Sequence, residues 1–255
     1  MNLTRRQLLA STGLAIGGSM IGSRMTAQAA HLRPITQVVG HSDSTGQYWI
    51  RQAAAQFGAP CDYSNVVGAA NMDEMRTRFL AKNPRYGERR LHIVMCGHVN
   101  LSDRVSAPRS RIMEVHQELC RLVDPGYYVG VSLTNDGEDD ARGGARGTSG
   151  YAIAFDPLNP NSINSQLEAL MQTKGQVSLG MRAAMTSPDG PAWLASRGVA
   201  LTAEDKRNIN IDDCPAQSLR LLKTAGNPGH YNTTYGKPCA ADIGARFLRA
   251  RYLVQ

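Results

Sequence analysis

The chain has 255 residues, a formal net charge of +7 and an aromatic content of 6 %. This length suits one large domain with a sizeable buried core. The sequence has no Lys/Arg block with interleaved aromatic residues and no internal repeat, which argues against a nucleic-acid partner and against a solenoid.

Residues 1–29 are predicted to be a twin-arginine export signal. Arg5 and Arg6 precede an apolar run at 8–21 that is too short to span a bilayer, and Ala27-Gln28-Ala29 has the pattern of a cleavage site. A weak membrane anchor is the alternative. Cleavage removes three basic residues and no acidic one, so the charge falls from +7 to +4. Residues 30–255 are then expected to form a single periplasmic or secreted domain without a stable membrane anchor.

Strand and helix patterns alternate in the first half of the chain. Strands are predicted at 35–39, in a run that ends at 65–68, at 91–96 and at 127–133, and helices at 48–57, 72–80 and 112–123. This alternation predicts an α/β fold with a parallel sheet of about five strands and helices on both faces.

The composition changes after residue 133. A polar, Gly-rich loop covers 134–150, and 134–213 as a whole are predicted to be an insertion that contains a helix at 161–174. Residues 240–253 predict a closing amphipathic helix with Ile243, Phe247, Ala250 and Leu253 on one face.

All five cysteines lie after the signal, at Cys61, Cys96, Cys120, Cys214 and Cys239. An oxidising destination favours disulfides, and an odd count leaves at least one thiol free. Cys96, in an apolar run, is predicted to be free and buried. Cys214 and Cys239 flank His230 and are predicted to form a disulfide. No C-x-x-C is present, which argues against a structural zinc site.

Polar groups follow the predicted strands. Ser42 comes after the first strand, Gly68 after the second and Asn100 after the third, while His230 precedes the closing helix. Ligands of open parallel sheets bind beyond the carboxyl ends of the strands. Acyl transfer needs a hydroxyl nucleophile, an imidazole base and donors to the oxyanion. Ser42 and His230 are therefore the predicted nucleophile and base, and Gly68 and Asn100 the predicted donors.

These segments resemble the sequence blocks of the SGNH (GDSL-like) hydrolases. Gly40-His41-Ser42-Asp43 resembles the G-x-S-[ND] nucleophile block, in the form closest to sialate and acetylxylan esterases. Gly97-His98-Val99-Asn100 resembles the block whose Asn donates to the oxyanion, and Gly68 stands where the second block has glycine. His230-Tyr231-Asn232, with Gly236 and a helix after it, resembles the last block.

The resemblance covers residues 34–133 and 225–253. It implies a flavodoxin-like three-layer α/β/α sandwich. It also implies a serine esterase that needs no cofactor and removes O-acyl groups, acetyl above all, from a glycan or a small ester.

The sequence departs from this family at the acid that orients the base. The family has D-x-x-H in its last block, and this chain has Asn227 in place of the Asp. Loss of that charge in a serine triad costs about four orders of magnitude in kcat. A backbone carbonyl or another acid, Asp212 or Asp213, could support His230 instead, or the site has changed its function. His41 in place of Gln and the carboxylate of Asp43 are further departures.

Two other classes of function stay open. His41, His98 and His230 would converge at one rim of the predicted fold, where three imidazoles could bind Zn or Cu in a periplasmic metal-binding protein. A non-catalytic carbohydrate-binding protein with the SGNH fold is the other alternative. Ser42 and Asn100 also suit ordinary turn or helix-cap positions. The sequence gives no indication of the oligomeric state.

Overall fold

The structure is a computed structural model that describes residues 32–42, 48–68, 70–95, 110–132, 159–186, 189–203, 206 and 231–255. The predicted export signal lies outside this part of the chain. Within it, no helix has the length and apolar character needed to cross a membrane.

The strands of the described residues form two parallel sheets. Their bounds are β1 (Arg33–Ile35), β2 (Gln37–Ser42), β3 (Cys61–Val66), β4 (Arg90–Met95), β5 (Tyr128–Val131), β6 (Val177–Leu179) and β7 (Tyr252–Val254). The larger sheet has five strands in the order β3-β2-β4-β5-β6, and β1 pairs with β7 in the smaller one. All of these pairs are parallel, which confirms the predicted sheet.

Helices cover both faces of the larger sheet. Their bounds are α1 (Trp49–Phe57), α2 (Met72–Ala81), α3 (Ser110–Leu119), α4 (Ile163–Thr173), α5 (Met181–Thr186), α6 (Asp189–Ser196) and α7 (Gly236–Arg249). Helices α1, α5, α6 and α7 share one buried cluster with Ile93 of β4. Helices α2, α3 and α4 share a second cluster with the next residue, Val94. The predicted three-layer α/β/α sandwich is confirmed.

Part of the predicted insertion belongs to the sandwich itself. The helix predicted at 161–174 is α4, whose Leu167 and Met171 lie over Gly130 of β5. Strand β6 then pairs with β5 and forms an edge of the main sheet. Its three residues are too few for a pattern of period two to be recognised in the sequence.

The closing helix was predicted to extend to residue 253, which is wrong. Helix α7 ends at Arg249, and the last residues turn into β7. The N–H of Arg33 donates to the carbonyl of Arg251 at 2.9 Å, and the N–H of Gln255 donates to that of Ile35 at 2.9 Å. Ile243 and Phe247 do face the core, whereas Leu253 is 42 % exposed. The helical spacing therefore continued by coincidence into a strand that tertiary pairing creates.

The predicted Cys214–Cys239 disulfide is not formed. Cys239 is a free thiol, fully buried on the core side of α7. Burial, together with the charge of Asp242, raises the pKa of Cys239 to about 12, so the thiol is protonated and unreactive. Cys61 and Cys120 are also free, and Cys96 and Cys214 lie outside the described residues.

Helix α7 approaches α1 at a position where only glycine fits. A Cβ atom on Gly244 would lie 2.7 Å from Cζ3 of Trp49 and 2.9 Å from Cβ of Ala53. Both neighbours are fully buried, so neither can move aside without disturbing the core.

We therefore expect Gly244→Val to lower the free energy of unfolding by about 1–3 kcal/mol through overpacking. Urea denaturation followed by circular dichroism measures the change. Gly180→Val is the matched control, because a Cβ there meets only Cβ of Ala183, at 3.8 Å. A shift of within about 0.5 kcal/mol is expected for this exposed position. Equal effects of the two substitutions would contradict the packing argument.

Candidate active site

Strand β2 lies where the order of the strands reverses. The chain passes from β2 to β3 on one side and later places β4 on the other side. In open α/β sheets, such a switch point creates a crevice beyond the carboxyl ends of the strands, and ligands bind there. Ser42 is the last residue of β2, so the predicted nucleophile stands at this switch point.

Ser42 and Gly68 lie on neighbouring strand ends. Ser42 is opposite Val66 in the sheet, and its carbonyl accepts a hydrogen bond from the N–H of Val67 at 3.1 Å. Gly68 follows one residue later, in an exposed turn. The structure thus brings together two of the predicted site residues. The side chain of Ser42 is 0 % exposed.

A capping box holds helix α2 just after Gly68. The N–H of Glu74 donates to Oδ1 of Asn71 at 3.0 Å, and the N–H of Asn71 donates to Oε2 of Glu74 at 2.9 Å. This reciprocal pair satisfies N–H groups that a helix start leaves without partners. It fixes the position of the helix that begins four residues after Gly68.

The other predicted site residues lie outside the described part of the chain. They are Asn100, Asp213, Asn227 and His230, together with Asp43, His98 and Asp212. Tyr231, the residue after His230, is described and buried. Oδ1 of Asn232 accepts hydrogen bonds from the N–H groups of Tyr235 at 2.7 Å and Gly236 at 3.0 Å, and so caps α7. The sequence block that contains His230 is therefore followed by a helix whose first residues are held by hydrogen bonds.

The starts of α1 and α7 lie at the same end of the sheet. Helix α1 begins seven residues after Ser42 and runs back along β2. Helix α7 runs in the same direction, since it leads into β7, which pairs beside β1 at the amino end of β2. Near the end of α1, Gln56 donates to Oδ1 of Asp242 at 2.8 Å, and its carbonyl accepts from Arg249 at 2.5 Å. The starts of α1 and α7, which follow Ser42 and His230 in the chain, therefore both lie at the carboxyl end of the sheet.

His41 does not lie at the open rim that the metal hypothesis requires. Its ring is buried beneath α2, and both ring nitrogens have protein partners. Nδ2 of Asn65 lies 3.1 Å from Nδ1 of His41, and Nε2 of His41 lies 3.1 Å from Nδ1 of His92. No group of three or more metal-ligating side chains occurs among the described residues. A metal site that includes His41 is therefore not supported.

The hydrogen bonds show which ring nitrogen of His41 carries the proton. Nδ2 of Asn65 also donates to the carbonyl of Arg78 at 3.0 Å, so this atom is the amide nitrogen. Nδ1 of His41 must then accept, and Nε2 of His41 donates to His92. The chain Asn65–His41–His92 joins β3, β2 and β4 side by side, one residue before Ser42.

A third buried imidazole lies farther along the same face. Nδ1 of His116 is 2.7 Å from the hydroxyl of Tyr128, which stands opposite His92 in the sheet. The ring of Phe79 packs against His41 at 4.8 Å, His92 at 4.6 Å and Tyr128 at 5.9 Å between centroids. We call His41, His92 and His116 the imidazole row. Sequence reasoning gave no role to His92 or Asn65. The only sign of this role in the sequence is that His92 is a polar residue among the apolar residues of its strand.

Burial lowers the pKa of every member of the imidazole row below 6.5, because a charged ring would lose its hydration. The pKa of His41 falls well below this value, with His92 and Lys82 adding to the effect of burial. The pKa of His92 falls to about 3, with Arg90 contributing, and that of His116 to about 4. All three rings are therefore neutral at physiological pH.

This burial makes stability depend on pH. Below pH 6.5 the unfolded chain binds protons that the folded protein does not, so the free energy of unfolding must fall as the pH falls. The slope is about 1.4 kcal/mol per pH unit for each imidazole that is protonated only on unfolding. Urea denaturation between about pH 6.5 and 5 should show this slope. His116→Gln should lower the slope by about 1.4 kcal/mol per pH unit, because the unfolded chain then takes up one proton fewer. Asp62, whose pKa is about 2, responds only at lower pH. An unchanged slope in His116→Gln would contradict the argument.

Comparison with known proteins supports the fold. No protein-family model matches the chain, and no curated protein sequence matches it. The crystal structure of protein YxiM from Bacillus subtilis is similar, with a TM-score of 0.53 and 13 % identity over 85 % of this chain. The chain spans 56 % of YxiM, a little over half of its length. At this identity, the likeness shows the fold alone.

Proposed function

We propose that this protein is an exported serine hydrolase of SGNH type that removes O-acyl groups, acetyl above all, from a carbohydrate. The observation behind the proposal is the place of Ser42, which ends the strand at the switch point of the sheet with the turn of Gly68 beside it. Acyl transfer needs a hydroxyl with main-chain N–H groups close by. The neighbouring strand ends that carry Ser42 and Gly68 support the proposal for this reason.

The proposed reaction has two steps. Oγ of Ser42 attacks the ester carbonyl while His230 takes the hydroxyl proton. The N–H groups of Ser42 and Gly68 and the amide of Asn100 stabilise the oxyanion. His230 then gives the proton to the leaving sugar oxygen, which forms the alcohol and an acyl-enzyme. In the second step, water attacks the acyl-enzyme and gives a proton to His230. His230 returns this proton to Oγ of Ser42 as the acyl–oxygen bond breaks, and the carboxylic acid leaves.

The group that orients the imidazole of His230 is the unusual part of this mechanism. Asn227 can hold the imidazole by a hydrogen bond but cannot stabilise the imidazolium by charge. Asp213 or Asp212 is the alternative source of that charge. If Asn227 is the supporting group, the chain is expected to be a slow esterase, because loss of the orienting charge costs about four orders of magnitude in kcat.

Ser42→Ala should reduce the hydrolysis of p-nitrophenyl acetate to the uncatalysed background. Ser132→Ala is the matched control, because Ser132 is also a buried serine directly after a strand of the same sheet, β5. This control should keep the wild-type rate. A fluorophosphonate probe should add covalently to Ser42, and mass spectrometry of the peptide identifies the site. Since Ser42 is fully buried, this labelling also tests whether a reagent can reach its hydroxyl. Equal rates of the two variants would refute the assignment.

The remaining roles predict graded effects on the same assay. Asn100→Ala should lower kcat by about 10²–10³-fold, as expected for the loss of one oxyanion donor. Asn227→Asp should raise kcat, because it restores a charge beside the base. A neutral result for Asn100→Ala would remove this residue from the proposed site.

A carbohydrate-binding protein that keeps the fold without catalysis is the second candidate, and the full burial of Ser42 favours it. This candidate predicts glycan binding with neither acetate release nor fluorophosphonate labelling. Acetate release that Ser42→Ala abolishes would exclude it.

A further inference from the structure

A surface cleft lies between helix α1 and the edge strand β3. It has a volume of about 380 Å³ and is lined by Tyr48, Arg51, Gln52, Ala55 and Tyr63. This volume lies within the usual range of small-molecule sites. The cleft brings together two phenol rings, a guanidinium and an amide.

The two tyrosines and the arginine hold one another in place. The rings of Tyr48 and Tyr63 meet edge to face, with centroids 6.1 Å apart and an interplanar angle of 77°. The guanidinium carbon of Arg51 lies 4.4 Å from the centroid of the Tyr63 ring, and Nη1 donates to the hydroxyl of Tyr63 at 2.8 Å. A guanidinium has five N–H donors, and this bond uses one of them. Arg51 is thus oriented before any ligand arrives.

Among the described residues that line the cleft, Arg51 is the one cation and none carries a carboxylate. Asp62 precedes Tyr63 in β3 and accepts a hydrogen bond from Lys82 at 2.7 Å. Lys82 follows α2, which packs on the other face of the sheet. Hydrogen bonds from Lys82 and Ser64 outweigh the effect of burial and lower the pKa of Asp62 to about 2. The charge of Arg51 in the cleft therefore favours an anionic ligand.

The cleft begins within a few sugar units of the proposed nucleophile. Tyr48 is the residue before α1, and Ser42 is six positions earlier in the chain. Six residue steps limit the distance between their Cα atoms to about 20 Å. A few linked sugar units can bridge this distance.

We propose that the cleft is a subsite for an acidic sugar, a pyranose ring that bears a carboxylate, within the glycan substrate. Tyr48, which is 39 % exposed, stacks on the C–H face of the ring, where the negative face of the phenol meets weakly positive hydrogens. Arg51 pairs with the carboxylate, a geometry for which its forked donors are suited, and Gln52 bonds the hydroxyls. That this sugar belongs to the substrate rests on the proposed function, whereas its binding requires no catalysis.

The test measures binding without turnover. Full-length Ser42→Ala protein is titrated with trigalacturonic acid, and with cellotriose as the neutral comparison, by isothermal titration calorimetry. Tyr48→Ala and Arg51→Gln, each in this background, should weaken binding of the acidic trisaccharide about tenfold. Cellotriose should bind about tenfold more weakly than trigalacturonic acid, since it lacks the carboxylate.

Tyr86→Ala and Arg85→Gln provide matched controls. These residues are an exposed tyrosine, 65 % accessible, and a neighbouring arginine in the turn before β4. Both controls should bind trigalacturonic acid like the parent protein. Tyr48→Phe should also retain binding, because it keeps the ring. Circular dichroism of each variant confirms that it is folded.

Each result decides for or against the subsite. Absence of binding, or equal affinities of the cleft variants and the controls, would overturn it, and equally tight binding of cellotriose would overturn the choice of an acidic sugar. A protein that binds through Tyr48 and Arg51 but hydrolyses no ester contradicts the proposed function alone. A protein that hydrolyses esters through Ser42 while the cleft binds neither trisaccharide contradicts the subsite alone.

Discussion

Helix α7 lies against α1 at Gly244, and the packing of one face of the main sheet depends on this contact. Trp49 and Ala53 occupy the space that a side chain at Gly244 would need. Helix α1 begins seven residues after Ser42 and α7 begins six residues after His230, and the contact at Gly244 sets the spacing of these two helices. Polar contacts at Asp242 reinforce the pair. Burial alone would raise the pKa of this carboxyl, but hydrogen bonds from Trp193, Gln56 and Arg197 lower it, so it remains ionised and holds the neighbouring helices in register.

The opposite face of the sheet makes a second contribution through the imidazole row. The register of β2 on β3 shifts between Val39 and His41, which places His41 opposite Asn65 and Ser42 opposite Val66. A polar group buried without a partner costs about 1–3 kcal/mol, so a slip in register that separated His41 from Asn65 would be penalised. The hydrogen bonds therefore favour one alignment of β3, β2 and β4. Since Ser42 adjoins His41, the same bonds determine where the main chain of the proposed nucleophile lies.

The sequence predicted the parts of the fold that depend on local pattern. Helices α1 and α2 were predicted within one residue, because their apolar spacing is visible in the chain. Strands β6 and β7, with three residues each, were not, since only pairing with distant partners makes them strands. The meeting of Ser42 and Gly68 followed from the rule for strand ends. The hydrogen bond between His41 and His92 could not be foreseen, because it joins residues that are 51 positions apart in the chain.

The pairing of β1 with β7 has a mechanical consequence. The two strands run parallel, so residue 32 continues from one end of the ladder and residue 255 lies at the other. A pull between these two points acts along the strands in opposite directions. The ladder hydrogen bonds, which lie across that direction, are then strained together, whereas peeling would break them one at a time. The small sheet should therefore resist stretching of the chain better than its three residue pairs suggest, and its rupture should precede the unravelling of the rest of the domain.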